Sequence, residues 1–152
     1  MKPTIVAARA VFIAMTAALM LMALAAVAAA DSYARTPKAG DSVRFENAAA
    51  GEKNAWAYAD QTWLSTFLRL SIDAALSGAP YDRSSPLARV TERGLVIDNG
   101  TRASVQEVHF FHYREHDDLV IRARILDGQF RNRSVWTTAA ELADASGNKY
   151  LK

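Results

Sequence analysis

The feature that most constrains the fold of this chain is a two-residue alternation of side chains between residues 119 and 126. Arg122 and Arg124 stand between apolar residues there, so that one side of the pattern is apolar. Successive side chains of a β-strand point to opposite faces of a sheet, and this period therefore predicts a strand with one buried face. The residues expected on the buried face are Leu119, Ile121, Ala123 and Ile125.

Turn signals divide the C-terminal half into several short strands. The dipeptides Asn99-Gly100 and Asp127-Gly128 favour tight turns, and the charged segment 114–118 is expected to form a hairpin loop. Residues 138–145 are expected to form one or two helical turns. Strands at this spacing are typical of a small barrel or sandwich. The predicted strands span residues 42–46, 95–98, 101–113, 119–126 and 134–136.

One amphipathic helix is predicted after the first strand, at about residues 56–76. Apolar residues recur there at three- and four-residue steps, which is the stripe of a helix packed on a core. Trp56 and Trp63 belong to this stripe and are expected to be buried. Gly78 and Pro80 end the helix, because Gly adopts the left-handed cap readily and Pro cannot continue a helix. The expected loops span residues 47–54 and 81–86.

The first thirty residues have the composition of a cleavable secretory signal peptide. Lys2 and Arg9 give the start a positive charge, and residues 10–30 carry no charged side chain. A leader helix that stayed uncleaved would be long enough to span a bilayer, which needs about 20 apolar residues. On either interpretation the rest of the chain is exported, and it meets a membrane only through an uncleaved leader. The expected cleavage residues are Ala28, Ala30 and Asp31.

Charge and cysteine content limit the possible partners and the source of stability. The chain has 18 Lys and Arg against 16 Asp and Glu, and Lys2 and Arg9 account for the whole excess. Without a basic excess after the leader, nucleic acid is not an expected partner. The chain has no cysteine, which excludes disulfides, thiolate metal sites and cysteine nucleophiles. An exported chain of this kind depends on its core and fits a bacterial periplasmic or secreted protein.

The length predicts one folded domain. The 152 residues less the leader are enough for one hydrophobic core and too few for two. We expect residues 31–41 to form a flexible tether, residues 42–146 to form the domain and residues 147–152 to form a polar tail.

The C-terminal half resembles an exported bacterial SH3-like domain. A glycine opens a strand in the run 100–105, an apolar strand in 119–128 closes on an acid–glycine turn, and Trp136 precedes a small helical segment at 140–142. The resemblance implies a small, five-stranded, partly open β-barrel with the helix inserted after the first strand. It also implies a non-catalytic binding module for a partner protein or a cell-wall peptide, without a cofactor.

Aromatic and basic side chains supply the candidate binding surface. If the strands alternate, some of their aromatic residues face outward, and SH3-like folds hold extended peptides on aromatic grooves. Tyr113 and Trp136 are the aromatic candidates, and Arg131 and Arg133 are the neighbouring basic ones. The alternative is that most of these rings lie in the core. Arg122 and Arg124 would extend the basic stripe, or form a solvated face.

Crowded histidines suggest an alternative function in metal binding. Imidazole and carboxylate groups are ligands for zinc, copper or nickel. On a strand, His112 and His116 are expected on one face and His109 on the other, so that the first two with Asp118 would form the site. The competing interpretation is a solvated polar hairpin.

Catalysis has little support in the sequence. No Gly-x-Ser-x-Gly, His-Glu-x-x-His or phosphate-binding glycine loop is present. Asp117 and Asp118 are adjacent, and on a strand they would point apart rather than form an acid–base pair. We therefore expect no enzyme, and a small hydrolase with an unrecognised site is the third function that stays open.

Overall fold

The computed structural model describes residues 35–47, 49, 51–78, 80 and 82–150. Within them the fold is mainly β, as predicted. The leader, with Ala28, Ala30 and Asp31, lies outside the described residues. None of the helices in the described part has the length and apolar character needed to cross a membrane. The strands are β1 Ser42–Phe45, β2 Asn54–Ala57, β3 Leu95–Asp98, β4 Arg102–Tyr113, β5 His116–Ile125, β6 Ser134–Thr138 and β7 Leu142–Asp144. The helices are α1 Gln61–Ser77 and α2 Pro86–Thr91, and a 3-10 turn spans Ala139–Glu141.

The strands form two antiparallel sheets. Five strands lie in the order β6-β5-β4-β1-β7, and β2 and β3 form a separate pair. The sheets meet at Tyr58, directly after β2, which exchanges two backbone hydrogen bonds of 2.7 Å each with Trp136 of β6. The described strands do not close into a barrel. The structure therefore shows a mainly β fold with two antiparallel sheets.

Apolar side chains from both sheets form the main core. The alternation in β5 is confirmed, since all four predicted residues on its inner face are buried. Phe45 of β1 and Ile97 of β3 reach the same cluster from the other strands. The largest side chains in this core, which are buried almost completely, are Phe45, Ile97, Ile121, Ile125 and Leu142.

A second apolar cluster attaches helix α1 to the opposite face of the five-stranded sheet. The helix buries the side of its stripe that runs from Leu64 through Phe67 to Ile72. Phe111 of β4 and Val120 of β5 receive it. The helix therefore covers the part of the sheet nearest the β4–β5 turn.

The β4–β5 hairpin is longer than predicted. Its turn contains only Arg114 and Glu115, and Tyr113 pairs directly with His116. Arg114 adopts a left-handed φ of 54°. The expected loop at 114–118 is wrong, because cross-strand pairs extend the ladder to the turn, and Asp117 and Asp118 belong to β5.

The first part of the predicted helix is a strand. Asp60 caps α1, because its carboxylate accepts the Thr62 N–H at 2.6 Å, and Gly78 ends the helix with a left-handed φ of 62°. Trp56 lies in β2 and is half-buried. Its backbone N–H donates to Glu141 Oε2 at 2.9 Å, and its backbone carbonyl accepts from Thr137 Oγ1 at 2.7 Å. Both backbone groups are therefore used in contacts that hold Trp56 in the strand and not in a helix.

Trp63 lies on α1 but outside the core. Its side chain is 37% exposed, so the prediction that it is buried is wrong. The guanidinium of Arg93 stacks over its ring, with Cζ 4.3 Å from the ring centroid. This cation–π contact takes the place of core packing on that side of the helix.

Two further elements depart from the sequence predictions. Helix α2 follows the expected loop, and the Ser85 side chain caps it by accepting the Ala88 N–H at 3.2 Å. The segment 138–145 contains a single 3-10 turn and then β7, which pairs with β1 through Phe45 and Leu142. Burial of Leu142 against the main core favours the strand over a second helical turn.

The described residues on both flanks of the domain contact it. In the expected tether, Gly40 N–H donates to the Val105 carbonyl at 2.8 Å, and Arg35 forms an ion pair with Asp144. In the expected tail, Tyr150 is 3% exposed. Residues 35–41 and 147–150 therefore pack on the sheet.

Candidate functional site

The part of the sheet face that α1 leaves open carries one row of side chains across three strands. Glu107 of β4 pairs with Arg122 of β5, and Arg122 pairs with Trp136 of β6. Directly paired residues of an antiparallel sheet lie on one face, so these three side chains are neighbours. His109 follows Glu107 on the same face, two residues along β4. We call the surface formed by Glu107, His109, Arg122, Arg124, Ser134 and Trp136 the Trp136 surface.

The indole of Trp136 is the centre of this surface. The ring is half-buried, and its inner side packs against the apolar cluster under α1. The His109 ring lies 5.5 Å from it, centroid to centroid, at an interplanar angle of 45°. The Arg122 Cζ lies 6.0 Å from its centroid. The two backbone bonds to Tyr58 fix the strand that carries it.

Glu107 holds the polar side chains around the indole. Its Oε1 accepts from Arg122 Nη1 at 2.7 Å, and its Oε2 contacts His109 Nε2 at 3.0 Å. The hydrogen bond to His109, followed by the one to Arg122, lowers the pKa of the Glu107 carboxyl below its ordinary value. One carboxylate thereby orients a cation and an imidazole beside the same aromatic ring.

A second row extends the surface toward the start of β6. Arg124 pairs with Ser134, whose hydroxyl donates to Gln106 Oε1 at 2.7 Å. Arg124 Nη2 reaches Asn132 Oδ1 at 3.4 Å and forms no ion pair within the described residues. Its guanidinium therefore remains available for a carboxylate from outside, which a planar guanidinium binds through two parallel hydrogen bonds.

The side chain of Tyr113 contacts helix α1. Its hydroxyl donates to Asp73 Oδ2 of α1 at 3.0 Å, and the Arg114 Nε donates to the same carboxylate at 2.8 Å. The Cζ of Arg69 lies 5.6 Å from the centroid of the ring. Tyr113 follows His109 by four residues, or roughly 13 Å along a strand. The structure thus places Tyr113 under the helix, apart from the Trp136 surface.

Arg131 and Arg133 lie in the exposed loop before β6. The Arg133 Cζ lies 5.9 Å from the centroid of Phe130, and no described contact joins either arginine to Trp136. Asp127, in the same loop, forms an ion pair with Arg102 at 2.7 Å. Of the predicted binding residues, only Trp136 belongs to the Trp136 surface. The side chains beside its ring are His109 and Arg122, and Arg124 lies in the next row.

The histidines of the hairpin do not converge. His112 pairs with Asp117 across the strands, and their side chains meet at 2.6 Å. His116 and Asp118 lie on the opposite face, because they flank Asp117 on β5. His116 is 8% exposed, and its Nδ1 finds no hydrogen-bond partner among the described residues. Within the described residues no three His, Asp or Glu side chains form a group able to hold a metal ion.

A buried carboxyl lies in the 3-10 turn before β7. Glu141, in the 3-10 turn, is 4% exposed, and burial raises its pKa to about 8. Its Oε2 accepts the Trp56 N–H, so the group links the turn to β2. No sequence signal distinguishes Glu141 from Asp144, the other acid of the segment 138–145. Its position and its backbone partner give it a structural role.

Comparisons with known proteins add no relative. The chain matches no protein-family model, no curated protein and no solved structure.

Proposed function

We propose that this chain is an exported, non-catalytic binding module of the bacterial envelope, which holds a peptide or a protein segment on the Trp136 surface. The observation that carries the proposal is the half-buried indole of Trp136 between His109 and Arg122. An aromatic ring that is partly exposed on a rigid strand, with a guanidinium beside it, is a common anchor for a polypeptide ligand.

The charges of the surface indicate the chemistry of the ligand. Glu107 neutralises Arg122 in part, whereas Arg124 has no carboxylate partner in the described residues. A ligand with a carboxylate could pair with Arg124 while an apolar or aromatic group covers Trp136. Peptides of the cell wall and acidic segments of envelope proteins both offer such carboxylates.

The envelope setting rests on the sequence of the leader and on the lack of cysteine. The SH3-like identity of the domain is part of the same proposal. Five strands in the main sheet, and a helix that follows β1 with only β2 between them, are the features in its favour. The fold assignment is separable from the function, since one fold hosts many activities.

Retention on purified cell-wall sacculi, with binding of soluble wall peptides as a second measurement, tests the proposal. We expect the full chain to be retained and the Arg124→Glu variant to be released. The exposed guanidinium makes few contacts within the fold, so this change leaves folding intact. Trp136→Ala should have the same effect, with circular dichroism to show that it folds.

The matched control is Phe110→Ala. Phe110 is 69% exposed, more than any other large apolar side chain described, and it lies on the face opposite Trp136. Its loss should leave retention unchanged. If Phe110→Ala and Arg124→Glu weaken retention equally, binding is a general surface effect and the Trp136 surface is not the site.

The competing metal-binding and hydrolase functions gain no specific support. His112 is separated by the sheet from His116 and Asp118, so the proposed ligand set would need further residues. The carboxyl with the most displaced pKa, Glu141, is buried and bonded to backbone.

A further inference from the structure

The outer edge of the two-stranded sheet has no neighbouring strand in the described part of the chain. β3 pairs with β2 alone. The Asn99 N–H donates to the Lys53 carbonyl at 3.1 Å, and bonded and non-bonded pairs alternate along an antiparallel ladder. The N–H and C=O groups of Val96 therefore point away from β2. The bonded pairs that follow from this register are Ala55–Ile97 and Ala57–Leu95.

The backbone N–H and C=O groups at this edge can pair with those of an identical antiparallel strand. The Asp98 carbonyl already accepts the Thr101 N–H at 3.2 Å, and the Gly94 N–H already donates to the Thr91 carbonyl at 2.9 Å. The backbone groups that have no partner within the described part of the chain are the N–H of Asp98, the C=O of Gly94 and both groups of Val96. An antiparallel copy of the same strand, centred on Val96, would satisfy all of them.

The side chains at the edge do not block such pairing. Val96 is 41% exposed, and β3 contains neither lysine nor proline, which proteins use to protect exposed edges. Arg93, one residue before Gly94, stacks on Trp63 and forms no ion pair within the described residues.

We propose that two copies of this chain associate through antiparallel pairing of their β3 strands, with Val96 opposite Val96 on the two-fold axis. This register forms four backbone hydrogen bonds: two between the Val96 residues and one from each Asp98 N–H to the opposite Gly94 carbonyl. It also sets each Asp98 opposite Gly94 of the other copy, one residue from Arg93, whose charge is opposite. A pairing in which the same patch meets itself closes as a dimer and cannot extend further.

Cysteine cross-linking in the full chain tests the pairing, because the protein has no cysteine of its own. The Cα atoms of a hydrogen-bonded antiparallel pair lie about 5.5 Å apart, within the range of a disulfide. We expect Val96→Cys to form a disulfide-linked dimer rapidly under mild oxidation. Phe110→Cys is the control, since that position is more exposed but lies outside the proposed contact. If Val96→Cys cross-links no faster than Phe110→Cys, the β3 pairing is refuted.

The variant Val96→Pro tests the β3 edge without disturbing the fold. Its N–H points away from β2, so proline removes only the outward donor and is tolerated at this edge. We expect the wild-type chain to sediment as a concentration-dependent dimer, and Val96→Pro to weaken this association by about tenfold or more while keeping the circular dichroism spectrum. A wild-type monomer at every concentration tested, or an equally strong dimer of the variant, would contradict the proposal.

Discussion

The ring of Trp56 lies against Gly94, in the space that a side chain at that position would need. A Cβ atom built on Gly94 would be 2.8 Å from Cε3 of Trp56 and 3.1 Å from the Thr91 carbonyl oxygen. Gly94 is not required here for a left-handed backbone, unlike the other glycines described. Glycine is required because the Trp56 indole packs directly against the backbone between α2 and β3 and leaves no room for a side chain.

Gly94→Ala should therefore destabilise the domain. Because the methyl group would displace the indole from a strand that is bonded on both sides, we expect a loss of about 1–3 kcal/mol in the free energy of unfolding, measured by urea titration. The control is the same change in a Trp56→Ala background, where the Thr91 carbonyl oxygen is the close neighbour that remains and the loss should be clearly smaller. Equal losses in both backgrounds would show that the contact is not the cause.

The position of Trp56 also shows where the sequence is insufficient. Trp56 continues the three- and four-residue spacing of α1, so periodicity alone assigns it to the helix. Its strand geometry comes from Thr137 and Glu141, which lie 81 and 85 residues away along the chain. By contrast, β5 can be predicted from local sequence. Every second side chain of a strand points to the same face, so the alternation of apolar residues marks the buried face directly.

The candidate surface was predictable only in its central residue. Trp136 could be recognised as an aromatic residue on a strand, but its neighbours depend on register. A two-residue turn and an irregularity between Val105 and Glu107 decide that His109 and Arg122 stand beside it. Neither feature has a clear sequence signal, and for the same reason the sequence groups Tyr113 with Trp136.

The contact of Tyr113 with Asp73 should attach α1 to the hairpin. Tyr113→Phe removes a hydroxyl that donates to a partly exposed carboxylate, and we expect a loss of about 1 kcal/mol in the free energy of unfolding. The same substitution in an Asp73→Ala background should have little further effect, which isolates the pair. If Tyr113→Phe is neutral in the wild-type background, packing and not the hydroxyl holds the helix there.

The start of α1 can be tested by its cap. Asp60 accepts the Thr62 N–H, so Asp60→Ala should lower the free energy of unfolding by about 1 kcal/mol, whereas Asp60→Ser should retain most of it. Thermal unfolding followed by circular dichroism measures both. A helix that began at residue 56 would place Asp60 in its interior, and there alanine, the better helix former, would stabilise it.

The buried carboxyl of Glu141 should make stability depend on pH. Burial raises its pKa from 4.5 to about 8, and the charges that act on it are Asp118, Lys149 and Glu52. The folded protein therefore keeps this proton up to about pH 8, whereas the unfolded chain releases it near its ordinary value. Because the folded state binds more protons in that window, the free energy of unfolding should fall as the pH rises through it.

Glu141→Gln removes the titration and keeps an oxygen that can accept the Trp56 N–H. We expect the variant to lose this decline, so that its stability relative to the wild type increases from about pH 5 to about pH 8, as followed by urea titration at several pH values. The control Glu107→Gln removes an exposed carboxylate whose pKa is lowered, and it should leave the decline in place. Parallel pH profiles for the wild type and Glu141→Gln would mean that Glu141 is ionised in the folded protein throughout this range.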